Sequence, residues 1–133
     1  MKTVLFACVH NAGRSQMAAA LFNMLADPRK AHAISAGTDP GPAVHPEVVA
    51  VMNEVGLDLS DVTPQRLTPD LARTAQYLIT MGCGDQCPVV PGAIHDDWPL
   101  EDPKGKSAAH TREIRNQIHV RVQQLITSEQ FAP

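Results

Sequence analysis

Short apolar runs separated by stretches of helical periodicity constrain this chain more than any other feature. The runs are Val4–Val9, Ala31–Ala36, Tyr77–Met81 and, more weakly, Ala93–Asp97. From Arg14 to Asp27 the residues Met17, Leu21 and Leu25 recur at helical spacing among alanines, and Pro28 acts as a stop. A second helix is predicted from Pro46, a residue suited to the first helical position, to Gly56. A short third one is predicted over Leu67–Thr74. The last runs from Ser107 to Ile126, with Ile114, Ile118, Val122 and Leu125 on one face and Arg115, His119 and Gln123 opposite. Strands alternating with helices predict an α/β fold with a parallel sheet covered on both faces. In such sheets sites form at the carboxyl ends of strands, where strand order reverses. The first and third strands are the expected neighbours there, which sets the residues after Val9 beside those after Met81.

With 133 residues and neither repeat nor linker, residues 1–133 are expected to form one domain. Only 4% of residues are aromatic, so the core must be mainly aliphatic, and reading a substrate by ring stacking is disfavoured. A net charge of −3 provides no global basic field for nucleic acid or an anionic membrane. An anionic substrate must therefore be held by local groups. The apolar run at the N-terminus is too short to span a bilayer and lacks a small-residue cleavage site, so the cytoplasm is the expected location. There, 3 cysteines, one early and two close together late, suit chemistry better than stapling.

Cys8 to Ser15 reads CVHNAGRS and falls between a predicted strand and a predicted helix. A loop of this length can curl so that the backbone N–H groups of Val9, His10, Asn11, Ala12, Gly13, Arg14 and Ser15 surround a tetrahedral oxyanion at a helix N-terminus. Arg14 supplies a planar fork for two anion oxygens. Gly13 is expected to permit the backbone angles of the cradle. Asn11 suits a left-handed conformation and can tie the loop with its amide. Ser15 can donate a hydrogen bond to the Cys8 sulfur. A free thiol titrating at about 8.5 is only a few per cent thiolate at neutral pH. Lowering that value by two units takes roughly 2.7 kcal/mol, whereas a helix terminus gives about 0.3–1 kcal/mol. The convergent N–H groups, Arg14 and Ser15 must provide the remainder.

CVHNAGRS resembles the signature of the low-molecular-weight protein tyrosine phosphatases and of the arsenate reductases that share their fold. The likeness extends through SQMAAAL, through SAGT at Ser35 to Thr38, and to the Asp102-Pro103 pair, and so covers nearly the whole chain. It implies a four-stranded parallel sheet in the order 2-1-3-4, flanked by helices on both faces, and a Cys8 thiolate that attacks phosphorus or arsenic directly. The two chemistries differ in what else they need. A phosphatase of this kind typically carries a pair of tyrosines directly after the Asp-Pro, whereas here Lys104-Gly105-Lys106 follows Pro103. The lone tyrosine, Tyr77, falls in a predicted buried strand.

A reductase must instead pass on two electrons' worth of oxidation. Cys83 and Cys87 lie in TMGCGDQCP, just past the third strand. Adjacent strands lie about 4.8 Å apart and a disulfide needs Cα atoms roughly 4.4–6.8 Å apart, so Cys83 can reach Cys8. The segment is similar to the redox loop of thioredoxin-linked arsenate reductases. That resemblance implies a relay in which Cys8 attacks arsenate and Asp102 protonates the departing oxygen. Cys83 then releases arsenite, and Cys87 carries the disulfide outward for reduction by thioredoxin or a similar external thiol. No bound cofactor and no metal are expected. Gly82 and Gly84 are expected to lend the loop its mobility. A phosphatase acting through Cys8, Arg14 and Asp102 is the alternative enzyme, and an arsenite sensor using the thiols as ligands is the alternative from another class.

Other residues are assigned quieter parts. Asp96 and Asp97 compete with Asp102 as general acid, but Asp97 better suits a strand end. His10 is expected to face solvent, and Trp98 to pack in its loop or cover the site edge. Arg112, Arg115 and Arg121 are expected to form a solvated face. Ala19 and Gln65 stand where some such reductases place acidic residues for potassium, so that ion site is expected to be absent. A metal site built from Cys83, Cys87 and His95 lacks an evident fourth ligand.

Overall fold

The computed structural model describes residues 1–83 and 90–133. Its elements are β1 (Lys2–Cys8), α1 (Arg14–Leu25), β2 (Ala31–Gly37), α2 (Pro46–Asn53), α3 (Pro69–Arg73), β3 (Tyr77–Thr80), β4 (Ile94–Asp97) and α4 (Ala108–Ser128). The sheet runs β2-β1-β3-β4, and all its pairings are parallel, with Cys8 opposite Gly37 and Ala7 opposite Thr80. β1 is central, so both its faces must be apolar, and Val4, Leu5, Phe6 and Ala7 are all fully buried.

Strand alternation divides those side chains between two cores. Val4, Phe6 and Cys8 point into a large cluster with Met17, Leu21 and Phe22 of α1, Val48, Val51 and Met52 of α2, and Ile114, Ile118, Val122 and Ile126 of α4. Leu5 and Ala7 point the other way, into a small cluster with Ala36, Leu78, Ala75 and Ala72 of α3. The two faces are thus covered unequally, one by three helices and the other by a short one. β4 forms one edge, with every residue exposed.

Helix ends follow local chemistry. Ser107 caps α4 by accepting from the His110 N–H at 3.1 Å, and Thr68 caps α3 by accepting from Leu71 at 3.1 Å. Pro46 and Pro69 open α2 and α3. α1 stops at Leu25, two residues before the predicted end. There Asp27 turns inward and takes Arg29 in a paired hydrogen bond at 3.2 and 3.1 Å, which holds its carboxyl below the usual range.

One expectation about α4 is corrected. Its apolar face is as predicted, with Leu125 packed partly buried against the core and Ile126 extending the buried stripe. Arg115 is not on a solvated face. It is buried and donates to the Val51 carbonyl and to Glu54 Oε1, both at 2.8 Å, which places its cation at the C-terminal end of α2. Arg112 grips the same carboxylate at 2.8 and 2.7 Å, and these two arginines pull the Glu54 carboxyl down to about 2.

Candidate active site

The site forms where β1 ends, at the strand-order reversal between β2 and β3. The loop from Cys8 to Gly13 gives all its carbonyls to outside donors. Thr38 N bonds to the Cys8 carbonyl at 3.2 Å, Asp39 N to Val9 at 2.8 Å, Gly41 N to His10 at 2.9 Å and His45 N to Ala12 at 2.9 Å. Gln16 Nε2 takes the Asn11 carbonyl at 3.1 Å, and Met17 N takes that of Gly13 at 3.0 Å. In a trans peptide the N–H lies opposite the C=O. With these carbonyls bonded to donors around the loop, the N–H groups from Val9 to Arg14 are turned the other way, a nest whose partial positive charge suits a tetrahedral anion at the start of α1.

Cys8 stands at the nest's edge, only 2% exposed and with a free thiol. Its Sγ lies 2.8 Å from Ser15 Oγ, and Asn11 Nδ2 donates to the same Oγ at 2.8 Å. The amide nitrogen can only donate, so Ser15 accepts from Asn11 and its single proton is left for the sulfur. Asn11 adopts φ 50°, the left-handed conformation expected of it.

Arg14, the first residue of α1, is 8% exposed. One guanidinium nitrogen donates to the Leu100 carbonyl at 3.0 Å and another lies 3.8 Å from Asp102 Oδ2. Asp102 is half-exposed and accepts from the Lys104 N–H at 3.0 Å. Its loop is anchored on both sides. Gly105 N donates to Glu47 at 3.1 Å, and Glu101 pairs with His110 and with Lys106 at 3.2 Å, which lowers the Glu101 carboxyl's titration. The structure therefore gathers Cys8, Arg14, Ser15 and Asp102 around one nest. Cys83 is buried at the neighbouring strand end, with its sulfur 4.0 Å from the carbonyl oxygen of Ala7, the residue before Cys8. Cys87 and Gly84 lie outside the described residues.

Residues 3–131 match the model of the low molecular weight phosphotyrosine protein phosphatase family. The chain belongs to this family. Within it, the chain is similar to a protein of Halobacterium salinarum named putative arsenate reductase, with 38% identity over 96% of this chain and 92% of that one. It is also similar to a glutaredoxin arsenate reductase of Synechocystis, with 38% identity over 95% of this chain and 97% of that one. Its fold superposes with a TM-score of 0.85 on a thioredoxin-dependent arsenate reductase of Corynebacterium glutamicum, 42% identical. That match covers 98% of this chain and 62% of the Corynebacterium chain.

The fold places several other residues, some as the sequence reading had them and some differently. Gly13 has φ −144°, so its need for glycine is spatial: a Cβ there would lie 2.8 Å from Pro103 Cγ. Gly82 has φ +93°, and its Cβ would lie 2.4 Å from an Arg14 nitrogen, so it is a seat for that guanidinium. Trp98 does not cover the site edge. It is buried against Phe6, ring centres 5.4 Å apart, and bonds to Asp96 at 3.1 Å. Asp97 ends β4, as expected, and accepts from Thr80 Oγ1 at 2.7 Å. Tyr77 is buried and donates to Glu129 at 2.6 Å; burial first, then that carboxylate, pushes its hydroxyl up to about 12. His10 is partly exposed and donates from Nδ1 to the Asp39 carbonyl at 2.9 Å. His95 is tied to the Val90 backbone at 3.1 Å.

Sequence reasoning missed the groups that hold the nest from behind. Most are backbone N–H groups of residues 38–45, which carry no side-chain signature. Gln16 and Gln65 carry one, but their part depends on contacts the sequence does not display. Gln65 N donates to Asn11 Oδ1 at 3.0 Å and Gln65 Nε2 to the Ser35 carbonyl at 2.8 Å.

Proposed function

We propose that this protein is an arsenate reductase whose nest holds arsenate and whose Cys8 begins a thiol relay through Cys83 and Cys87. The observation that carries the reading is a second sulfur, past the end of the neighbouring strand β3, with Cys83 Sγ 4.0 Å from the carbonyl of Ala7, the residue before the nucleophile. The names of the Halobacterium, Synechocystis and Corynebacterium relatives support it. So does the environment of Tyr77, whose hydroxyl is bound to Glu129 and leaves no phenol free to grip an aryl ring.

The backbone N–H groups of Val9 to Ser15 and the Arg14 fork bind arsenate. The Cys8 thiolate attacks arsenic, and an oxygen leaves as water after taking a proton from Asp102. Cys83, as thiolate, then attacks Cys8 Sγ. The sulfur–arsenic bond breaks, its electron pair stays on arsenic, and arsenite leaves as arsenic falls from the +5 to the +3 state. The two sulfurs, now a Cys8–Cys83 disulfide, have lost the corresponding two electrons. Cys87 attacks Cys83, which frees Cys8 as thiolate and leaves a Cys83–Cys87 disulfide for an external dithiol of the thioredoxin class. No resident metal or cofactor takes part, and the protein acts as a single domain in the cytoplasm. Among the described residues no helix is long and apolar enough to cross a membrane.

A single turnover tests this. Fully reduced protein mixed with arsenate, without external reductant, is expected to lose two thiols per arsenite released, with the disulfide mapped to Cys83–Cys87. Survival of all thiols without arsenite would overturn the relay. Rapid hydrolysis of an aryl phosphate by the same sample would then favour the phosphatase alternative, which uses Cys8, Arg14 and Asp102.

A further inference from the structure

Behind the nest lies a network of side-chain amides that takes no direct part in the relay. Asn11 is 0% exposed and Gln16 is 6% exposed. Gln16 Nε2 donates both to the Asn11 carbonyl at 3.1 Å and to Asn11 Oδ1 at 3.0 Å. The same Oδ1 also accepts from Gln65 N at 3.0 Å. Gln65 is itself fixed, through Nε2 to the Ser35 carbonyl at 2.8 Å and through its carbonyl to Gly37 N at 2.9 Å. With two donors on Oδ1, the Asn11 amide cannot turn over without setting its NH2 against them. Its Nδ2 is therefore held toward Ser15 Oγ at 2.8 Å, which leaves the Ser15 proton for Cys8 Sγ, also at 2.8 Å.

We propose that Gln16 is a positioning residue for Cys8. It fixes the Asn11 amide, which fixes the direction of the Ser15 hydroxyl, which stabilises the thiolate. Gln16 Nε2 bonds to Asn11, so its effect on the thiolate passes through Asn11 and Ser15. Its second bond, to the Asn11 carbonyl, steadies the same residue at φ 50° and serves the same route. The proposal rests on Cys8 being the nucleophile and names what tunes it.

The test is the pH dependence of Cys8 alkylation by iodoacetamide in the reduced full-length protein, read peptide by peptide by mass spectrometry. A hydrogen bond to a charged acceptor contributes enough to move such a profile by about one to two pH units. Ser15→Ala is expected to shift the Cys8 midpoint upward by about that much. Gln16→Met, which keeps the volume and removes the donors, is expected to shift it upward by about half a unit to one unit. The double variant is expected to match Ser15→Ala alone, since residues acting through one another are not additive. Gln16→Leu replaces Gln16→Met if that variant is not recovered folded. An unmoved profile in Gln16→Met, or a shift that adds fully to that of Ser15→Ala, would overturn the positioning role. A wild-type Cys8 that reacts like an ordinary thiol, with a midpoint near 8.5, would instead overturn the nucleophile reading beneath it.

Discussion

Gly82 shows how much the site depends on a missing methyl group. It sits at φ +93° and a Cβ there would lie 2.4 Å from an Arg14 nitrogen, so alanine at 82 meets two penalties at once. A side chain in that backbone region costs about 1–3 kcal/mol, and Arg14 must move as well. Gly82→Ala is therefore expected to weaken phosphate or arsenate binding on the order of tenfold, the equivalent of about 1.4 kcal/mol. Isothermal titration of the reduced protein checks this. Gly13→Ala acts through its neighbour, because its Cβ would strike Pro103, next to Asp102. It is expected to lower kcat more than anion affinity, a split that steady-state kinetics against the phosphate inhibition constant would reveal.

At the scale of elements, the contact between α2 and α4 is locked by one carboxylate. Glu54 follows α2 and receives Arg112 and Arg115 from α4, which hold its carboxyl at about 2 against an ordinary 4.5. A carboxyl depressed on folding stabilises the folded state above its unfolded value, and that contribution fades as pH falls toward the folded value. Glu54→Gln is thus expected to lower Tm at pH 7. The difference from wild type should shrink as pH drops from about 4.5 toward about 2. A Tm gap that persists unchanged at the acid end would show that the loss comes from packing and not from charge.

Across the whole molecule, the anion site and the fold are linked. Four of the nest's carbonyls are tied to residues 38–45, Arg14 to Leu100, and the Asp102 loop to Glu47, so an oxyanion held in the nest as proposed would bind only the folded arrangement of segments far apart in sequence. A ligand that binds only the folded state at a hundred times its Kd adds about 2.7 kcal/mol, or roughly 10 °C for a chain of this size. Saturating phosphate is expected to raise Tm by that amount, and Arg14→Ala to abolish most of the rise. Removal of a central core ring is independent of ligand: Phe6→Ala is expected to cost about 3–5 kcal/mol in chemical denaturation.

The alternation of apolar runs and helical periodicity was enough to predict the parallel sheet, because burial on both faces of β1 demands a continuous apolar run and each covering helix writes a 3.6-residue period. The order of its strands came from the resemblance of CVHNAGRS and SAGT to a known family, and the structure has it. The local geometry of the loop was legible as well: Asn11 does adopt the left-handed turn, and Ser15 does meet the Cys8 sulfur, both for reasons local to CVHNAGRS. Arg115 was misread because amphipathic spacing records where a side chain starts, not whether a carboxylate and a helix end wait for it on α2. Gly13 was read for its backbone angles and Gly82 for loop mobility; Gly82 does take φ +93°, but the room the two leave, for Pro103 and for Arg14, exists only once distant segments pack. The part of Gln16 and Gln65 in holding Asn11 went unread for the same reason. A hydrogen-bond network joining residues 8–16 to residues 35–65 is a property of the folded arrangement, and no periodicity or spacing along the chain encodes it.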